Sequence, residues 1–158
     1  MIPEAPFLFS IAALSASLAG LAGLVAGLRR GADVRRIDLF RLRQIVEFSF
    51  ANVILALATV PVSVQLDDPA TVVRVMAGIG LAYALVTATV LVLRMRHWNI
   101  AWTVGWQVGV AVLNLAIIAA GVAAIATGSF AAYELLLMAL LGRPMLAFLL
   151  VLASLEAQ

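Results

Sequence analysis

The residues able to do chemistry are few, and they lie in apolar surroundings. Ser49, Asn52, Thr59 and Ser63 follow one another at steps of three, seven and four, with Ala56 filling the gap. At about 100° per residue all five fall within roughly a quarter of a helix circumference. A later apolar run carries Thr103, Gln107 and Asn114 on one face. Polar side chains inside a bilayer turn toward the bundle interior or a water-filled cavity. Two such stripes either bond helices together, at about 0.6 kcal/mol per contact, or line a hydrated path. The expected lining of a path is Ser49, Asn52, Thr59, Ser63, Gln107 and Asn114.

Four charged residues fall inside or at the edges of apolar runs: Glu47, Arg74, Glu134 and Arg143. Arg74 and Glu134 each lie about one turn in from the outer face. Arg143 lies some 13 residues into its run, roughly 20 Å down at 1.5 Å per residue, within snorkelling reach of the inner face near Glu47. These depths predict the cross-helix pairs Arg74–Glu134 and Arg143–Glu47. Arg43 competes for Glu47 from four residues earlier on the same face. Such pairs allow insertion, and the same residues serve a charge-selective or proton-coupled site. Asp67 and Asp68 occupy a short turn, where they are solvated or attract cations to a pore mouth.

Other chemistry is thinly represented. There is no cysteine, which excludes disulfides and thiol nucleophiles, and the single histidine, His97, excludes a multi-histidine metal site within one chain. No phosphate-binding glycine loop, nucleophile elbow or metalloprotease helix appears. The expectation is a non-enzyme with no catalytic residues, no metal and no cofactor. A lipid-active enzyme using Glu47 or Glu134 is the less favoured alternative.

Composition sets the class. The 158 residues are 65% hydrophobic and 11% charged, with a mean hydropathy of +1.15. Soluble domains carry about 25% charged residues, so the surplus apolar surface must face lipid. Net charge is +2, all ten basic residues being arginine. The arginines cluster between apolar runs, where orientation signals belong, and no aromatic-basic pattern suggests nucleic acid.

Five apolar runs predict an all-α, polytopic transmembrane helix bundle forming a single membrane domain over 1–158. The expected helices are about 7–28, 33–64 (membrane part 45–64), 72–93, 100–126 and 130–155. Each approaches the roughly 20 residues that cross a 30 Å hydrocarbon core. The first run lacks preceding positive charge, so it reads as a retained helix rather than a cleaved signal. Asp33 is a candidate cap that would start helix two early. The last run is expected to break near 142–144, because proline withholds a backbone donor and arginine costs about 2.5–3.5 kcal/mol at mid-bilayer. Four spans plus a re-entrant or interfacial C-terminal segment is therefore the alternative. Loop arginines from Arg29 to Arg43, and Arg94 with Arg96, alternate with the Asp67–Asp68 turn. The positive-inside rule then puts the N-terminus outside and the Arg29–Arg43 loop in the cytoplasm.

Small residues stripe helix one at Ala12, Ala16 and Gly20 and at Ala19, Gly23 and Gly27, and helix four at Gly105 and Gly109. They let helix backbones approach closely, within one chain or between copies. Trp98, Trp102 and Trp106 share one helical face; Trp98 and Trp102 lie where an interfacial aromatic belt belongs, and Trp106 is expected deeper, against lipid or another helix. The expected function is a multi-pass protein of the cell membrane, a bacterial inner membrane by its arginine-only bias. It is expected to form a homo-oligomeric channel or transport path for ions or small solutes. Self-association would use Gly20, Gly23, Gly27, Gly105 and Gly109, and the expected surroundings are the lipid bilayer. The alternative is a non-catalytic accessory or assembly subunit joined to other membrane subunits.

Overall fold

A hydrocarbon environment offers the backbone no water, so each crossing segment must satisfy its own N–H and C=O groups. In the computed structural model they do so as helices throughout. The structure describes residues 4–28, 36–97 and 104–156. They form α1 (Ala5–Leu28), α2 (Arg36–Gln65), α3 (Pro69–His97), α4 (Val104–Thr127) and α5 (Phe130–Glu156), and no strand occurs among them. All five are long and apolar enough to cross a membrane. Leu14, Ile54, Val86, Leu115 and Leu149, one on each helix, point outward and are exposed. In water that would be a liability; in lipid it is the required surface. The chain is a five-span, all-α transmembrane bundle.

The helix that the sequence leaves most doubtful is the central one. α5 packs against each of the other four, which meet in sequence as α1–α2, α2–α3 and α3–α4. Among the described residues α4 touches neither α1 nor α2. The main core gathers Leu8 and Ile11 of α1, Leu55 of α2, Val73 and Met76 of α3, and Tyr133, Leu136 and Leu137 of α5. A second cluster joins Ala22, Leu42, Ile45, Ala147 and Val151 toward the arginine-rich end.

The expected break near 142–144 does not occur: α5 runs continuously through Pro144. Proline is tolerated in a spanning helix when its neighbours hold it. Here Pro144 is buried, and a Cβ on Gly142 would come within 2.6 Å of Leu113 on α4. α5 is one continuous helix whose apolar stretch, Phe130–Ala153, is long enough to cross, as a full span requires and a re-entrant loop does not. Arg29, Arg30, Asp33, Arg35, Trp98, Trp102 and Thr103 lie outside the described residues, as do the side chains of Arg36, Arg96, His97 and Trp106.

Asp68 starts α3. Its carboxylate accepts from the Ala70 and Thr71 amides at 3.2 and 3.0 Å and from the Thr71 hydroxyl at 2.6 Å, and Pro69 stands at the first helical position. The Thr71 hydroxyl bond, followed by the Ala70 amide bond, lowers the Asp68 pKa below its ordinary value. A depressed folded-state pKa contributes stability above the unfolded value, about 3.9, and loses it as pH falls through the lower folded value. Thermal unfolding across pH 2–6, comparing the parent protein with Asp68→Ala, should show this dependence in the parent and its loss in the variant. Equal pH dependence of the two would refute the cap.

Candidate functional site

The polar stripe of α2 is turned to α5, not to α4. Ser49, Asn52 and Thr59 are almost wholly excluded from the surface, at 0%, 1% and 0% exposure. Thr59 donates to the Leu55 carbonyl at 2.8 Å and meets the Tyr133 hydroxyl at 2.9 Å. That hydroxyl, on a fully buried ring, lies 3.2 Å from the same carbonyl. The Asn52 amide donates to the Leu137 carbonyl at 3.3 Å. Two polar atoms of the stripe, Ser49 Oγ and Asn52 Oδ1, are buried with no hydrogen-bond partner. Each such atom costs about 1–3 kcal/mol.

The stripe ends in a cavity on either side. At the Asp67–Asp68 end, Ser63 is half-buried, bonds the Val60 carbonyl at 2.6 Å, and lines a cavity of about 790 Å³. Phe9, Val60, Val64 and Phe130 provide much of its apolar wall, and Glu4 and Asp67 bring carboxylates to it. At the arginine-rich end, a smaller cavity of about 110 Å³ opens between α2 and α3, with Gln44, Glu47, Phe48, Thr87 and Arg94 among its walls. Phe48 at the inner cavity and Val60 at the outer one are separated by roughly 18 Å at 1.5 Å per residue, somewhat over half of a 30 Å hydrocarbon core.

Arg143 is the charged centre of the bundle and draws on four helices. From α5 its guanidinium donates through Nη1 to Thr87 Oγ1 at 3.1 Å and through Nη2 to the Ala84 carbonyl at 3.2 Å, both on α3. It donates again to Asn114 Oδ1 on α4. The Phe48 ring of α2 lies below it, 5.5 Å from ring centroid to Cζ, within cation–π range.

The two expected ion pairs do not form. Glu47 is held instead by Arg43, at 2.6 Å, and by Arg94 of α3, at 3.6 Å. The nearer competitor on the same helix face wins because a spacing of four requires no tertiary closure. Arg143 faces neutral acceptors. Arg74 is exposed, and no ion pair joins it to the half-buried Glu134. An arginine one turn from the interface meets water directly and needs no partner to insert.

The expected path between α2 and α4 is likewise not built, since α5 lies against both. Asn114 is half-buried and serves Arg143, whereas Gln107 is exposed on the outside of α4. Asp67 and Asp68 are exposed at the turn, and Asp68 is committed to its cap. Among the small residues, a Cβ on Gly20, Gly23, Gly27 or Gly105 would meet nothing within 4 Å, whereas one on Gly109 would come within 3.1 Å of Leu146. Gly109 therefore serves packing of α4 on α5.

Sequence reasoning missed Tyr133, Thr87 and Phe48. Tyr133 and Thr87 carried a usable signal as hydroxyls within apolar runs. Phe48 carried none, because an aromatic ring in a span is ordinary. Compared with protein-family models, curated proteins and solved structures, the chain matches none.

Proposed function

We propose that this five-span membrane protein is a non-catalytic transport protein for ions or small solutes, with its path along the α2–α5 interface. The observation that carries the reading is the pair of buried, unpartnered polar atoms, Ser49 Oγ and Asn52 Oδ1, at the middle of the span. Unpaired polar atoms are costly in a bilayer, and their retention is explained by a permeant or water that completes them. Cavities beyond both ends of the stripe support the same reading. The interface is closed at mid-span, as in a gated or alternating path. By the positive-inside rule the arginine-rich end faces the cytoplasm of a bacterial inner membrane.

Proteoliposomes of the purified protein test this by polyol-driven swelling and ion efflux. Flux is expected above that of empty vesicles. Asn52→Leu should lower it about tenfold, a barrier increase of about 1.4 kcal/mol, with the bundle still folded, because one interhelical bond contributes only about 0.6 kcal/mol. Flux unaltered by Asn52→Leu would count against the path.

A second reading, an assembly subunit, is favoured by one observation. Ala13, Ala16, Gly20, Gly23 and Gly27 are all exposed on α1, a face that suits close packing against another helix. The chain has no cysteine, so a single Gly20→Cys gives an unambiguous probe. Self-association through this face predicts oxidative dimers from membranes, reduced about tenfold by adding Gly23→Leu, on the scale of 1.4 kcal/mol. Monomers alone would exclude a symmetric contact at this face.

A further inference from the structure

We infer that Arg143 is the binding group of an anion site, taking a phosphate-type oxyanion that enters from the arginine-rich end of the bundle. Among the described residues no carboxylate lies within 4 Å of the Arg143 guanidinium, and its bonding partners, Thr87, the Ala84 carbonyl and Asn114, are all neutral. Neutral acceptors solvate a cation without cancelling its charge. In a low-dielectric interior the uncancelled charge is costly. The counter-ion that the sequence suggests, Glu47, is already held between Arg43 and Arg94.

Unused donors point to an acceptor as well. The three bonds leave part of the five-donor guanidinium free. Asn114 is engaged through Oδ1, so its amide nitrogen stays beside the guanidinium with two further donors. The site thus offers donors from two helices, α4 and α5. An oxyanion with several acceptor oxygens meets donors arriving from different directions.

Access comes from the gap between α2 and α3. Phe48 and Thr87 both touch the guanidinium, and both line the cavity of about 110 Å³ that continues to Gln44, Glu47 and Arg94. Its volume holds several waters or one small oxyanion. Arg94 and Glu47 line it together, and Arg43 pairs with the same carboxylate from outside the cavity, so the trio carries one net positive charge and the entrance favours negative charge. Arg143 lies 10 residues from Ala153, the end of the α5 span, or about 15 Å by helical rise. Its long side chain shortens that separation from the interface. Phosphate is the common anion there, as a lipid headgroup or free in solution, and both sources present the same chemistry. The inference is independent of whether the chain conducts solutes.

The full-length protein in phospholipid-free maltoside micelles tests it. Melting temperature is measured against increasing phosphatidylglycerol, inorganic phosphate, or chloride at matched ionic strength. A saturable rise is expected with at least one phosphate source and not with chloride. The rise should be lost in Arg143→Met and retained in Arg74→Gln, a change at the exposed, opposite end of α3. Response to phosphatidylglycerol alone assigns a lipid headgroup; response to both assigns free phosphate as well. If Arg143→Met does not fold, Arg143→Lys decides, since an ammonium keeps the attraction but loses the directed donors and should weaken the apparent Kd about tenfold. The inference is overturned by no phosphate-dependent rise in the parent protein, by an equal rise in Arg143→Met, or by an unchanged Kd in Arg143→Lys. It is also overturned if Arg143 proves to be held by an acidic helix of a co-purifying protein.

Discussion

Replacing Asn114 with leucine is expected to destabilise the bundle by about 1.5–3 kcal/mol, whereas replacing Arg143 with leucine is expected to be neutral or stabilising. The asymmetry follows from what each change leaves behind. Asn114→Leu removes an acceptor from a cation that stays in place, and a bond to a charged group contributes about 1.5–3 kcal/mol. Arg143→Leu removes the cation itself, together with an insertion cost of about 2.5–3.5 kcal/mol. Of the groups left behind, the Thr87 hydroxyl still reaches the Tyr83 carbonyl at 2.8 Å and the Ala84 carbonyl at 3.1 Å, whereas the half-buried Asn114 loses its bond to Arg143, an offset of about 1–3 kcal/mol that does not exceed the insertion cost removed. Denaturation of the two variants in matched detergent micelles, followed by circular dichroism, gives the comparison. Equal losses would mean that Arg143 is a structural strut rather than a charge carried at a cost to stability. A favourable Arg143→Leu strengthens the anion-site inference, because a residue that costs stability is kept for what it binds.

Gly128→Val is expected to have the larger effect, about 2–5 kcal/mol. Gly128 lies between α4 and α5 with φ of 65°, and its amide closes α4 on the Ala124 carbonyl at 2.8 Å. A left-handed residue with a side chain costs about 1–2 kcal/mol. The turn also rests on the start of α3: a Cβ here would come within 2.8 Å of the Ala70 Cβ and 3.2 Å of its Cα. Those atoms belong to the start of a helix and cannot swing aside, so overpacking adds about 1–3 kcal/mol. Gly78→Ala is the matched control. Its Cβ meets nothing within 4 Å inside α3, so it should gain about 0.5–1 kcal/mol. If Gly128→Val melts like the control, the α4–α5 turn does not seat on α3 as described.

That five segments are helices long enough to span a bilayer is legible from the residues alone, because hydrocarbon rejects any unbonded backbone and the apolar runs have the required length. So are the faces that carry polar groups, since a period of 3.6 residues maps Ser49, Asn52, Thr59 and Ser63 onto one stripe of α2. Local partners were legible too: Arg43 reaches Glu47 within one turn of helix. Which helix that stripe faces, and which partners hold Arg143, emerge from the packing of the helices. Lipid tails and neighbouring helices are equally apolar, so a run of Leu, Val and Ala does not reveal which side is packed. α5 illustrates this. Arg143 and Pro144 argued for a broken or peripheral segment, yet α5 is the helix that touches all the others, and Arg143 is accommodated by acceptors from α3 and α4 that no local pattern could bring together.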